Sequence, residues 1–162
     1  MLSSLHRWGS IAVAATAIQL ASVYAAIANR GLWIQPHLVD HVQGVQMPAP
    51  ETRRILPRPV DRQLLAMLKG VVSDVGTAAA AQIPGYSVAG KTGTAQMIAN
   101  SKASRGEDHA WFAAFAPAKE PEVVVVVLVE RGGKGGQVAA PIARKILNAI
   151  FFEKVASAGL SG

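Results

Sequence analysis

Within SVAGKTGTAQ (residues 87–96), Lys91, Thr92, Gly93 and Thr94 bring a cation, two hydroxyls and a stretch of bare backbone into four consecutive positions. The flanking β-branched and small residues make this a strand. Side chains alternate along a strand, so Thr92 and Thr94 share one face about 7 Å apart, while Lys91 and Gly93 take the other. That arrangement suits a carboxylate ligand. Two hydroxyls bracket it, the unpaired N–H groups of an edge strand stabilise a developing oxyanion, and the missing side chain at Gly93 leaves room for a ligand against the backbone. Lys91 adds positive charge beside the pair. The same four residues also make an ordinary edge strand in which Lys and Gly discourage pairing with another chain, and taken alone they leave both readings open.

Acyl chemistry at such a strand needs a nucleophile. A serine becomes nucleophilic when a base lies within reach, which on a helix means a lysine one turn away, three positions on. The chain has ten serines, and none is followed by lysine at that spacing. Ser87 and Lys91 are no substitute, because four strand residues span about 13 Å. The absence of cysteine removes thiolate nucleophiles, disulfides and sulfur-ligated zinc together. His37 and His41 fall in a stretch that reads as strand and stand too far apart for one ion, so neither a metal nor another cofactor is expected. RGGKGGQ (131–137) lacks the spacing of a P-loop and its closing Lys-Ser/Thr, and reads as a flexible connection between a strand and a helix.

Periodicity supplies the elements that hold the strand. Residues 86–97, 109–117 and 122–131 read as three strands, the last two joined by the tight turn AKEPE. The third carries seven apolar residues in succession from Val123 to Val129, so helices must cover the sheet on both sides. One helix is expected where Leu64, Leu65, Leu68, Val71, Val72 and Val75 form a buried stripe, with Asp61 as its cap and Gly76 at its end. Another is expected over 138–154, with Ile142, Ile146 and Ile150 along one face and Arg144, Lys145 and Lys154 off it. LWIQPHLVDHV (32–42) reads as a short edge strand, and 46–60, with four prolines, as an extended loop. The N-terminus admits two readings on composition. His6, Arg7, the apolar run over 11–26 and the small-x-small AIA at 26–28 have the form of a signal peptide; the recurrence of Val13, Leu20 and Ile27, closed by Asn29-Arg30-Gly31, has the form of a buried helix.

With 162 residues, 51% of them hydrophobic, and a mean hydropathy of +0.28, the chain is one folded domain without repeats rather than a disordered segment. The net charge of +6 and pI near 10.1 suit an anionic partner. The basic residues are scattered, however, and aromatics make up only 6%, so no basic run interleaved with stacking rings exists and nucleic acid is not an expected partner.

Lys-Thr-Gly is the third motif of penicillin-binding proteins and class A β-lactamases, and here the likeness runs well beyond it. QLASVYAAIANRGLWIQPHLV (19–39), GTAAAA (76–81), GYSVAGKTGTAQ (85–96), HAWFAAFAP (109–117) and GGKGGQVAAPIARKIL (132–147) follow the family's order over residues 16–152. Together they closely resemble the C-terminal half of the transpeptidase domain of class B penicillin-binding proteins. HAWF and the glycine-rich segment are most similar to the elongation-type penicillin-binding protein 2. By this resemblance TAIQLASVYAAIANRG is the family's buried helix rather than a signal peptide. The implied fold is α+β: a five-stranded antiparallel sheet between helices, of which this chain would supply about three strands. It would be a single partial domain over 1–162, with residues 1–15 atypical and 153–162 a tail.

The resemblance also assigns roles. Lys91 would contribute electrostatics and a hydrogen bond, Thr92 and Thr94 would hold the carboxylate of a peptidoglycan stem peptide or a β-lactam along Gly93, and the Thr94 N–H would complete the oxyanion hole. The family's other catalytic motifs, Ser-x-x-Lys and Ser-x-Asn, do not occur in the chain. The implied activity is therefore D,D-transpeptidation in cell-wall cross-linking, carried by a fragment that is inactive alone and whose partner is the missing N-terminal half of the domain. The alternative is a non-catalytic ligand-binding or interaction module, such as one half of a split penicillin-binding protein. Family members are anchored in the inner membrane with a periplasmic catalytic domain, and this chain shows no convincing anchor or export signal. In the family the strand matching 122–130 lies mid-sheet and pairs with a strand from the N-terminal part of the domain; without that neighbour VVVVVLV is an open apolar edge, and self-association through it is expected.

Overall fold

The computed structural model describes residues 15–95 and 108–159. Thr16 starts the first helix, α1 (Ala17–Ala28). Its Oγ1 accepts from the Gln19 N–H at 3.3 Å, and Gln19 Oε1 accepts from the Thr16 N–H at 2.8 Å, a reciprocal capping box. The part of the expected helix and of the signal-peptide reading before residue 15 lies outside the described residues. The helix stops where Arg30 and Gly31 turn left-handed (φ 55° and 83°) and the Gly31 N–H bonds to Ala26 O at 2.8 Å. A Cβ on Gly31 would collide with Leu56 O, so glycine is required at this stop.

The chain continues through β1 (Leu32–Ile34), a hairpin of β2 (His41–Val42) and β3 (Val45–Gln46), and β4 (Thr52–Arg54), which returns to pair with β1. Two expectations are corrected here. Residues 32–42 are not one strand, because the stretch after Ile34, which includes Pro36, is irregular, and the supposed loop over 46–60 contains β4 and the start of the next helix. That helix, α2 (Arg58–Val71), begins after Pro57 with Pro59 in its first turn, where a missing N–H leaves no bond unmade. Asp61 is consequently inside the first turn and only 5% exposed, not a cap. Leu68 and Val72 are buried as the stripe predicts, but Val75 is 98% exposed because the helix has ended four residues earlier, at Val71.

A 3-10 turn (Ala79–Ala81) leads into the central sheet, β5 (Ala89–Ala95), β6 (His109–Ala116) and β7 (Val123–Val129), antiparallel and in that order. Residues 96 and 97, which the expected first strand included, lie outside the described residues. The double cover inferred for β7 is present. Val125 and Val127, with Ala110, Phe112 and Ala114 of β6, pack under α3 (Ala139–Gly159). Val124 and Val126, with Ala113 and Phe115, pack against α1 and α2. The buried face of α3 differs from the expected one: Ala140, Ala143, Leu147 and Phe151 face the sheet, while Ile142 and Ile146 are 38% and 40% exposed. Small alanines let the helix axis come close to a sheet surface already occupied by Phe112, and isoleucines in that phase would hold it off.

Candidate functional site

β5 is an edge strand, and its alternation sends the four singled-out residues to different places. Thr92 and Thr94 lie opposite Phe112 and Ala110, on the α3 side, and line one cavity of about 490 Å³ together with Thr77, Asp108, Lys134 and Gln137. Thr92 Oγ1 is 3.3 Å from Thr77 Oγ1, close enough for one hydroxyl to donate to the other and orient the Thr92 side chain. Thr94 is exposed. Lys91 lies opposite Ala113 on the other face and does not line this cavity; its Nζ donates to Thr92 O at 2.8 Å, which brings the ammonium back beside the strand. Gly93 faces Trp111, and a Cβ there would come within 3.2 Å of Trp111 Cβ. The bare position thus answers to its own cross-strand neighbour as well as to any ligand.

The glycine-rich segment forms the second wall, and it is not a loose connection. Gly135 is buried with its Cα against β5 and β6, so that a Cβ would collide with the carbonyl oxygens of Trp111 and Gly93; on Gly136 a Cβ would collide with Thr77 O. Close backbone approach is what these two glycines provide. The segment is held at both ends. The Gly133 N–H donates to Asp108 O at 2.9 Å, and Gly135 O accepts from the N–H groups of Ala139 (3.0 Å) and Ala140 (2.9 Å) in the first turn of α3. Lys134 is thereby set on the cavity wall, beside the positive end of the α3 dipole. Hydroxyls, a cation and a helix start make an environment for an anion, and Asp108 adds one acceptor for a ligand N–H. Motif reasoning passed over Thr77, Lys134 and Gln137. Their only trace in the sequence is that they fall inside GTAAAA and GGKGGQ.

Among the described residues, no serine lines this cavity. Ser22 Oγ accepts from Trp33 Nε1–H at 2.6 Å, Ser73 Oγ donates to Gly70 O at 2.7 Å, and Ser87 Oγ accepts from the Ala118 N–H at 3.1 Å, so each serves its own local structure. His41 pairs with Asp40 at 3.0 Å rather than with His37, and among the described residues no three His, Asp or Glu side chains converge. Among the same residues, no helix is long and apolar enough to cross a membrane.

The sequence model of one family, the penicillin binding protein transpeptidase domain, matches residues 4–148. The match begins within the stretch read as atypical. The peptidoglycan D,D-transpeptidase PbpA of Mycolicibacterium smegmatis is 39% identical over 153 residues, covering 87% of this chain and 30% of the relative. The peptidoglycan D,D-transpeptidase MrdA of Haemophilus influenzae is 33% identical over 151 residues, covering 83% of this chain and 23% of the relative. Among solved structures, penicillin-binding protein A of M. tuberculosis, in a ceftriaxone acyl-enzyme complex, superimposes with a TM-score of 0.74 at 34% identity over 87% of this chain and 33% of that one. The chain thus spans about a third or less of the length of these relatives, and it shares their fold.

Proposed function

The chain belongs to the penicillin-binding protein transpeptidase family, and we propose that Thr92 and Thr94 form the carboxylate-holding wall of a D,D-transpeptidase cleft that cross-links peptidoglycan. One observation carries this reading: two hydroxyls on an open sheet edge meet in a single cavity with Lys134 and Gln137 of the segment that leads into α3. The ligand is a peptidoglycan stem peptide, or a β-lactam in its place. Its carboxylate lies between the two hydroxyls, and the Thr94 N–H donates to the carbonyl oxygen that becomes negative under attack. Lys91, tethered to Thr92 O, adds positive charge at the strand edge, and Gly93 leaves that edge unobstructed.

In such a cleft a serine oxygen bonds to the carbonyl carbon, the C–N bond breaks, and the proton lost by the serine passes to the leaving amine. The amine of a second stem then takes the acyl group. This chain supplies no serine with a lysine one turn away, so its share is binding and electrostatics. It is one part of a single domain, completed by a segment carrying Ser-x-x-Lys and Ser-x-Asn, in a protein anchored in the inner membrane and facing the periplasm. The same lack of a nucleophile favours a second reading, a non-catalytic ligand-binding or interaction module.

Labelling with a fluorescent penicillin tests both. The chain alone takes up no label that survives SDS. Combined with a segment carrying the two absent motifs it becomes labelled, and Thr94→Ala or Lys91→Ala then reduces the labelling rate at least about tenfold, or ~1.4 kcal/mol of transition-state stabilisation. Labelling of the chain alone, or restored labelling indifferent to Thr94→Ala, refutes the proposal. Reversible β-lactam binding that no added segment converts to a covalent label selects the module.

A further inference from the structure

On the opposite face of the sheet a second cavity, of about 320 Å³, lies between the end of α1, the first turns of α2 and the turn after β6. Arg58, Asp61 and Arg62 reach it from one side of α2, at i, i+3 and i+4. Arg30 comes from the left-handed stop of α1, Lys119 from the turn after β6, and the fully buried Phe115 forms an apolar back wall. The four cations are exposed. Asp61 is the reverse: it is 5% exposed, and its Oδ1 is buried without a hydrogen-bond partner. Burial pushes its carboxyl up from the ordinary range, against a lowering influence from Arg54. A buried acceptor left unpaired is costly, and native proteins rarely leave one without a purpose.

We propose that this cavity binds a small dicarboxylic amino acid, with its ammonium on Asp61 and its two carboxylates among Arg30, Arg58, Arg62 and Lys119. The charge pattern selects this class. Four cations against one anion favour a ligand with two acidic groups, the buried carboxylate calls for one cationic donor, and Phe115 takes the short aliphatic chain between them. The volume lies at the small end of ligand pockets, of order 300 Å³ and upward. This site stands apart from the threonine cavity and does not depend on the transpeptidase reading.

Calorimetric titration of the full chain with L-glutamate, and with glutarate, which keeps both carboxylates and lacks the ammonium, tests the assignment. Glutamate binds saturably, and glutarate at least about tenfold more weakly. Asp61→Asn weakens glutamate at least about tenfold but leaves glutarate no weaker, which also shows that the variant cavity is folded, whereas Arg62→Ala weakens both. No saturable heat with glutamate up to about 10 mM overturns the proposal. So does equal binding of the two ligands, or an Asp61→Asn variant that binds glutamate as the parent does. Binding of an acidic peptide without binding of glutamate overturns it in favour of a protein-docking surface.

Discussion

β5 and β7 both lack an outer neighbour among the described residues, yet the two edges are made of opposite material. β5 presents Lys91, Thr92, Gly93 and Thr94, groups at ease in water, and the glycine-rich segment walls one of its faces. β7 is valine and leucine throughout, with helices over both faces and, among the described residues, no strand paired along its edge. The difference shows that covering a strand's faces and covering its edge are separate matters. Apolar run length reports the first, while the second depends on whether the unpaired backbone sits among polar or apolar side chains. The unpaired backbone of β5 lies among groups that water covers readily; that of β7 lies among apolar side chains.

The largest expected effect tests the covered face. Leu147, fully buried under the sheet, costs about 2–5 kcal/mol when replaced by alanine, whereas Ile146→Ala, at a position 40% exposed, costs under about 1 kcal/mol. Equal losses in chemical denaturation would mean that α3 packs in the other phase. The next tests the open edge. The chain self-associates through β7, and Leu128→Lys, at a position 40% exposed, weakens that association at least about tenfold. Val125, 7% exposed under α3, is the wrong place for a charge, since a lysine there would enter the core. Size-exclusion chromatography with light scattering decides this; a parent chain that is monomeric at high micromolar concentration would show the edge to be covered already.

The smallest effect concerns the α1 and α2 side, where Asp61 is held above its ordinary value of 3.8 by burial. As pH rises from below 3.8 the unfolded chain releases this proton first, so stability falls until the folded carboxyl has ionised too, and is level thereafter. Asp61→Asn removes that loss. The variant is therefore the more stable at neutral pH, and its advantage vanishes in acid. Thermal melts across pH read the sign, and a variant less stable at neutral pH would mean that the charge is compensated in the fold.

The three strands and the double cover of β7 were legible because period and run length report burial locally. The capped start of α1 was hidden only by the apolar run upstream of it. The phase of α3 was not legible: Ile142, Ile146 and Ile150 repeat at the same spacing as Ala143, Leu147 and Phe151, and hydropathy favours the isoleucines. Side-chain size against Phe112 decides between them, and that is a property of the opposing surface. Asp61 resembled a cap because the shift of the helix start by Pro57 and Pro59 was not anticipated. Gly135 resembled a flexible link for a similar reason. A glycine required by the backbones of Gly93 and Trp111, distant in sequence, looks no different from one that merely bends.

The most direct measurement of the proposed role of β5 is NMR shift mapping of the Leu128→Lys chain with benzylpenicillin. The account predicts reversible shifts at the amides of Thr77, Thr92, Thr94, Gly135 and Gly136, unperturbed amides along Val123–Val129, and no covalent adduct by mass spectrometry. Silent β5 amides with shifts elsewhere, or a stable acyl adduct on any serine of this chain, would contradict it.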